Sequence, residues 1–230
     1  MKIVNPSYEI LRITEDPLET IELVGRTCYK SQDKIAKGTA STFVGGIVKR
    51  DHTAMIEFAD LTVRFVTQRA VSHEMVRMRL CSFAQESQRY VSYGTDKENQ
   101  QITVIRPHWC DPSLIPEEVS AQYNYDPLDG GKEFLWLLAC RNAEVSYRAL
   151  LKRGVLPQDA RDVLPNSTRT EIVVKANLRE WRHIFQLRAV EKAAHPEYRR
   201  VCVPLYLQMR DKYPEVFDLG DPEGTWPPLE

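Results

Sequence analysis

The segment from Arg77 to Tyr90 holds side chains well suited to binding an anionic nucleotide. It contains three arginines, Arg77, Arg79 and Arg89, joined by hydroxyl, amide and carboxylate groups. Guanidinium forks bind phosphate oxygens bidentately and keep their charge when partly buried. Glutamine, serine and glutamate offer donors and acceptors that suit a pyrimidine edge or ribose hydroxyls. On composition alone, a solvated polar loop with surface arginines is the alternative interpretation.

Several familiar catalytic motifs are absent, and we predict no metal site. The run from His73 to Arg77 fails as an HExxH zinc motif, because a guanidinium stands where the second imidazole is needed. There is no GxGxxG, GxxxxGK[ST] or GxSxG motif, so phosphates must be held by side chains. No CxxC pair occurs among the five cysteines, which argues against a disulfide frame and favours a reducing compartment.

The spacing within the arginine-rich segment resembles the flavin-dependent thymidylate synthases. The family signature is an Arg-His-Arg triplet followed by two serines and an arginine. The matching positions here are Arg77, Arg79, Ser82, Ser87 and Arg89.

A second block, within residues 154–188, resembles the C-terminal half of the same family. Residues 160–165 match its Ala-Arg-x-x-Leu-Pro stretch, and residues 177–188 match its flavin-binding helix. A third and weaker match covers residues 52–57, so the resemblance spans roughly residues 15–215. It implies an enzyme, a FAD-dependent methyltransferase of the thymidylate synthase type.

The resemblance implies a ligand for residues in both blocks. Expected flavin contacts are Arg77, Met78, Arg79, Gln85, Asn177, Leu178, Arg179 and His183. Expected uridylate contacts are Glu74, Met75, Val76, Arg77, Glu86, Ser87, Gln88, Arg89, Arg161 and Arg188.

Arg188 is the expected catalytic residue, with His52 as a second candidate. A permanent cation beside the pyrimidine N3 and carbonyl stabilises the enolate-like form that makes C5 nucleophilic. The alternative for Arg188 is an exposed ion pair with Glu191 or Glu180, worth at most about 1 kcal/mol. His52 is expected near the flavin ring or folate, with a purely structural hydrogen bond as its alternative. Cys81 is interpreted as a packing residue.

The implied reaction is reductive methylation of dUMP to dTMP. The implied cofactors are FAD, NADPH and 5,10-methylenetetrahydrofolate, which supplies the carbon. The implied assembly is a homotetramer whose active sites are shared between subunits.

The chain departs from the family pattern at three positions. Met78 replaces the histidine of the Arg-His-Arg triplet, and Ala84 stands where Asn or Ser often occurs. Phe58 replaces a histidine that commonly follows the family's equivalent of Glu57. Methionine and phenylalanine neither hydrogen-bond nor titrate near neutrality. A methylase of both UMP and dUMP is therefore an alternative. A non-catalytic RNA- or nucleotide-binding protein is another, although stacking aromatics are few.

Hydrophobic periodicity predicts the elements that position these residues. Strands are predicted at residues 8–14, 60–67, 101–105 and 168–175, and a functional loop at 82–93. Helices are predicted at residues 17–29, 39–49, 70–79, 132–153, 156–164, 178–190 and 198–212. This mixture predicts an α+β fold, with an antiparallel or mixed sheet packed by helices. We expect one domain over residues 1–230, with a surface elaboration within 107–130 marked by prolines at 107 and 127.

Composition limits the partners. The 230 residues carry a formal charge of −1 and are 43% hydrophobic, enough for one real core. Neutral charge predicts no bulk attraction to nucleic acid or to a membrane surface. The first residues lack a signal-peptide pattern, and no apolar run approaches the roughly 20 residues of a membrane span. We therefore expect a cytoplasmic protein.

Overall fold

A computed structural model describes residues 1–90, 101–115 and 131–229, and it confirms an α+β architecture with mixed sheets. The strands are β1 (Lys2–Val4), β2 (Ser7–Ile13), β3 (Asp60–Gln68), β4 (Ser82–Gln85), β5 (Thr103–Ile105) and β6 (Arg169–Asn177). The helices are α1 (Pro17–Cys28), α2 (Thr39–Lys49), α3 (Arg69–Met75), α4 (Lys132–Lys152), α5 (Pro157–Ala160), α6 (Leu178–Phe185), α7 (Pro196–Lys212) and α8 (Pro214–Phe217). Four 3-10 turns lie at Gln32–Lys34, Thr53–Phe58, Pro112–Leu114 and Arg161–Val163, and one π-helical turn lies at Gln186–Val190.

An antiparallel sheet in the order β2-β3-β6-β4 forms the centre of the fold. Strands β3 and β6 pair along their whole length, from Asp60 opposite Asn177 to Gln68 opposite Arg169. Alternate residues of β3 are fully buried at Leu61 and Val63, as expected of a strand with one face on the core. A separate parallel pair is made by β1 and β5.

Helices α6 and α7 pack on this sheet, and α8 packs on these two helices, with aromatic side chains between the three helices. Phe185 lies 5.4 Å from Trp181, 5.5 Å from Tyr206 and 5.4 Å from Phe217, measured between ring centroids. The Trp181 indole N–H donates to the Leu61 carbonyl at 2.9 Å, so the buried polar atom is satisfied. A smaller core joins β1 and β5 to α4, where the amino group of Met1 lies 3.2 Å from the buried Glu144 carboxylate.

Two buried arginines on α7 hold the chain that follows α8. Arg199 donates to the carbonyls of Glu191 at 2.9 Å and Glu223 at 2.7 Å. Arg200 donates to the carbonyls of Pro228 at 2.6 Å and Arg106 at 2.7 Å. These bonds hold the C-terminal tail against α7.

Four predicted elements differ from the structure. Residues 82–85 are strand β4 rather than loop, because they add to the free edge of β6; residues 91–93 lie outside the described residues. Helix α3 ends at Met75, not at residue 79. The helix predicted at 156–164 is α5 followed by a 3-10 turn. The helix predicted at 178–190 changes from α to π geometry after Phe185.

The predicted elaboration at 107–130 is only partly described. Pro107 and Cys110 are buried, so the beginning of this segment packs into the fold. Residues 116–130 lie outside the described residues, and the single-domain expectation stays a prediction. In the described ranges, no helix combines the length and the apolar character needed to cross a bilayer.

Candidate active site

Pairing between β4 and β6 brings the two matched sequence blocks together. Gln85 lies opposite Ile172, and its amide nitrogen donates to the Ser72 hydroxyl at 2.7 Å and the Thr170 hydroxyl at 3.3 Å. Ser72 belongs to α3, which follows β3 without a linker. Gln85 therefore joins α3 to the sheet through its amide nitrogen.

A cleft of about 310 Å³ opens beside this junction. It is lined by Arg69, His73, Gln88, Arg161, Asp162, Leu164, Pro165 and Asn166. Gln88 and Arg161 were both expected to bind uridylate, and they come from different sequence blocks. The lining residues include two guanidinium groups and one carboxylate, so their combined charge is positive and suits an anion.

The Arg161 side chain is free to bind a ligand. Pro157 occupies the first turn of α5, where its missing N–H is harmless, and the following 3-10 turn carries Arg161. Its guanidinium makes no hydrogen bond or ion pair with another described residue. The neighbouring Arg69 is already committed, because it contacts the Glu86 carbonyl and the Thr170 hydroxyl, each at 3.4 Å.

Arg188 lies in the π-helical turn and contacts helix α3. Its Nη1 is 3.7 Å from a carboxylate oxygen of Glu74, and its guanidinium lies over the Tyr198 ring, 5.4 Å from the centroid. The ion-pair partner is thus Glu74, not Glu191 or Glu180 as in the structural alternative. The other oxygen of Glu74 is 3.8 Å from Nδ1 of His195. Two expected uridylate residues, Glu74 and Arg188, are therefore neighbours.

Glu86 is held by an arginine that sequence analysis missed. Arg169 Nη1 lies 3.5 Å from Glu86, and the same arginine also pairs with Glu171. Arg169 and Glu171 are two residues apart on β6, so their side chains point to the same face of the sheet. This spacing was the signal in the sequence that could have revealed the pair. The missed residues Tyr198 and His195 carried no comparable signal, because their contacts join distant segments.

The remaining expected flavin residues lie at the other end of the sheet. The Asn177 side chain accepts from the Glu180 N–H at 2.8 Å and caps α6, and Arg179 pairs with Glu57 at 2.5 Å. Arg179, His183 and His52 are all exposed. Eight residue-to-residue steps along β3 lead from the Asp60–Asn177 pair to the Gln68–Arg169 pair, a distance of about 27 Å. One chain therefore does not bring this group to the cleft.

Arg77 and Arg79 are exposed between α3 and β4. Neither guanidinium makes a hydrogen bond or ion pair with another described residue. Two uncommitted cations near each other fit a diphosphate, which is the chemistry expected of their partner. Ser87 and Arg89 follow β4 directly, and the Arg89 guanidinium lies 5.5 Å from the Tyr90 ring centroid.

Three expected contact residues are core residues in the structure. Met75, Met78 and Leu178 are 1%, 7% and 0% exposed, so they can reach a ligand only through main-chain atoms. Val76, between the two methionines, is exposed. The side chain of Met78 therefore contributes to packing.

The Cys81 thiol is protonated at neutral pH. Burial, reinforced by the negative charge of Glu180, raises the pKa of the Cys81 thiol to about 12. A protonated thiol is a weak nucleophile, which agrees with its interpretation as a packing residue. Within the described part of the chain, no cluster of His, Cys, Asp and Glu could hold a metal ion.

Both the sequence and the fold are similar to known proteins. A family model described as "Thymidylate synthase complementing protein" matches residues 9–215. A flavin-dependent thymidylate synthase of Geobacter sulfurreducens is 32% identical over 215 residues, covering 90% of this chain and 84% of that protein. One from Mycolicibacterium vanbaalenii is 35% identical over 205 residues, covering 86% and 77%.

The fold is also similar to a solved structure. The crystal structure of a UMP/dUMP methylase, PolB, from Streptomyces cacaoi bound with 5-Br dUMP superposes with a TM-score of 0.73. The sequence identity is 20%, and the superposition covers 95% of this chain and 96% of that one. The expected fold class and the expected FAD-dependent methyltransferase are confirmed, with FAD, folate and NADPH as the family's cofactors. This chain belongs to the thymidylate synthase complementing protein family, the flavin-dependent thymidylate synthases.

Proposed function

We propose that this protein converts dUMP to dTMP. In this reaction, methylenetetrahydrofolate supplies the one-carbon unit. The observation that carries the proposal is the meeting of Gln88 and Arg161 in one cleft, with the Arg188–Glu74 pair on the adjoining helix. These residues come from both blocks that match the family, and the family membership supplies the chemistry.

Uridylate binding rests on Arg161, Gln88 and the other expected residues around the cleft. A dianionic phosphate needs cationic donors, and the Arg161 guanidinium has no competing partner among the described residues. Glu86 is oriented by Arg169, which keeps its carboxylate in place beside the cleft residues. The cleft thus supplies charge and hydrogen bonds without a glycine-rich phosphate loop.

Arg188 acts on the pyrimidine itself. Its permanent charge favours electron density on the uracil carbonyl, and so favours nucleophilic character at C5. The neutral thiol of Cys81 takes no part, because burial keeps its pKa near 12. Activation of C5 therefore depends on a cation and not on covalent attack by a cysteine.

The residues expected to hold the flavin fit its charge. Arg77, Arg79 and Arg179 offer guanidinium groups for a diphosphate, while Asn177 begins α6, whose N-terminus favours an anion. Gln85, the main chain of Met78 and Leu178, and the exposed side chains of His183 and His52 complete the set. When bound, the flavin supplies hydride and is recharged by NADPH.

The active enzyme is a homotetramer with active sites shared between subunits. Support comes from the separation of about 27 Å between the Asn177 end of β6 and the cleft end, which neighbouring chains would bridge. Exposed Phe58, Leu80 and Tyr90, at 60%, 74% and 81%, offer apolar surface for such contacts. Mixing Arg188→Gln and Arg179→Gln proteins, each impaired alone, should restore partial activity after subunit exchange. A monomer in light scattering would contradict this assembly.

We infer that the protein is cytoplasmic. All five cysteines are free thiols, which suits a reducing compartment. Separation of a cell lysate into soluble, membrane and secreted fractions tests this placement. Most of the protein in a membrane or secreted fraction would contradict it.

The direct test is purification followed by three measurements. A yellow protein is expected, with NADPH oxidation and dTMP formation that require dUMP and methylenetetrahydrofolate. A colourless protein that takes up no flavin would refute the enzyme proposal. Salt-dependent RNA binding by such a protein would favour the non-catalytic alternative.

A second candidate is methylation of both UMP and dUMP. It is favoured by the fold likeness to a UMP/dUMP methylase and by Met78 and Phe58, which depart from the family pattern. A ribose 2′-OH needs room and a hydrogen-bond partner in the site. Comparing kcat/KM for the two nucleotides decides between the candidates.

A further inference from the structure

The aromatic ring of Tyr198 lies beside the Arg188 guanidinium. Its separation from the ring centroid is 5.4 Å, inside the roughly 6 Å range of a cation–π contact. Tyr198 is only 3% exposed, so its ring is a fixed surface. Its backbone N–H donates to the His195 carbonyl at 2.9 Å, which anchors the residue in the first turn of α7.

Hydrogen bonds do not fix the plane of this guanidinium. The Arg188 Nε atom is buried and has no hydrogen-bond partner among the described residues. Nη1 lies 3.7 Å from Glu74, which is an ion-pair distance but too long for a hydrogen bond. Glu74 is itself 33% exposed and shared with His195. An ion pair of this kind attracts the cation without setting its orientation.

We propose that Tyr198 is a positioning residue for Arg188, and this inference rests on the proposed function. The flat face of its buried ring holds the guanidinium plane in the orientation from which Arg188 stabilises charge on the uracil carbonyl. The ring does not touch the uridylate; it restricts the motion of the group that does. Pre-oriented donors stabilise developing charge better than mobile ones, so the effect falls on kcat.

The ring and the hydroxyl group can be tested separately. Tyr198→Phe keeps the aromatic face and removes the hydroxyl, so its kcat should stay within about twofold of wild type. Tyr198→Leu removes the face, and loss of a cation–π contact corresponds to a decrease in kcat of about 3- to 30-fold. The KM for dUMP should change less than kcat, because substrate binding does not depend on this orientation alone.

Tyr206→Leu is the matched control, since Tyr206 is also a buried tyrosine of α7 with an arginine, Arg210, over its ring at 5.5 Å. It measures the effect of losing such a ring away from Arg188. Thermal midpoint, flavin content and the rate of flavin reduction by NADPH without nucleotide should be recorded for every variant. We expect Tyr198→Leu to reduce flavin at the wild-type rate while making dTMP slowly.

Fluorinated phenylalanines at position 198 keep the shape of the ring and weaken the negative potential over its face. They therefore test the cation–π contact even where Tyr198→Leu fails to fold. Under the proposal, kcat decreases stepwise as fluorines are added. A constant kcat across this series would overturn the inference. Equal kcat values for Tyr198→Leu and wild type, or a loss that follows flavin content as in Tyr206→Leu, would also overturn it. A wild-type protein that forms no dTMP would instead overturn the proposed function, and this inference with it.

Discussion

Replacing Arg161 by glutamine should weaken dUMP binding with little effect on the chemical step. The guanidinium lines the cleft and has no other partner among the described residues, so its donors are available to the nucleotide. A hydrogen bond to a charged group contributes about 1.5 to 3 kcal/mol, and each 1.4 kcal/mol is tenfold in affinity. Arg69 donates to other groups, but its positive charge remains in the same cleft and limits the loss, so we expect KM for dUMP to rise about 10- to 30-fold.

The kinetic assay is dTMP formation against dUMP concentration at saturating folate and NADPH. Because Arg161 binds substrate and transition state alike, kcat should fall less than about threefold. Arg12→Gln, on the exposed side of β2, is the control with the same change in net charge. Arg161→Lys should lie between the two, since an ammonium keeps the charge but loses the planar fork. An unchanged KM, or a loss confined to kcat, would refute this role for the cleft.

Three further predictions concern the thiol, the core and the tail. Cys81→Ser should keep kcat within about twofold of wild type. The alkylation rate of Cys81 should rise about tenfold per pH unit from pH 9 to 11, because burial raises the pKa of its thiol to about 12. Fast labelling at pH 7 would contradict this. Trp181→Phe should lower the free energy of unfolding in urea by about 1 to 3 kcal/mol, since the Leu61 carbonyl loses its donor; an unchanged midpoint would refute it. Arg200→Met should lower the free energy of unfolding by about 3 to 5 kcal/mol, because several carbonyls lose a buried cationic donor. The C-terminal tail should also become sensitive to proteases. A tail as resistant to proteases as in wild type would count against this prediction.

Periodicity predicted the long elements well. The segments now known as α1, α2, α4 and α7 and strands β2, β3 and β6 were expected within a few residues of their ends. Strand β4 was missed because its four residues, Ser82–Gln85, are too few to show a clear alternating pattern, and they form a strand by pairing with β6. Tertiary pairing of this kind overrides local pattern, and a single sequence does not display it.

The site was predicted by residue type and by family resemblance, but not by contact. Sequence analysis named Glu74 and Arg188 separately, and the structure pairs them across more than a hundred residues. It also treated Met78 as a group facing the flavin, whereas the side chain is buried in the core. Arg169 and Tyr198 were missed, because an ion pair on a strand and a ring beneath a cation depend on three-dimensional packing.

The π-helical turn at Gln186–Val190 fits one more residue into the end of α6 than an α-helix would hold. Successive side chains of an α-helix are rotated by about 100° around the helix axis. The extra residue therefore changes the direction of every side chain that follows it. Phe185 before the turn and Tyr206 beyond it still meet in the core, while Arg188 faces outward to Glu74. Deleting one residue from this turn should prevent the Phe185–Tyr206 contact and the Arg188–Glu74 contact from forming together. Relatives with a shorter or longer turn would therefore need a compensating change where the chain enters α7.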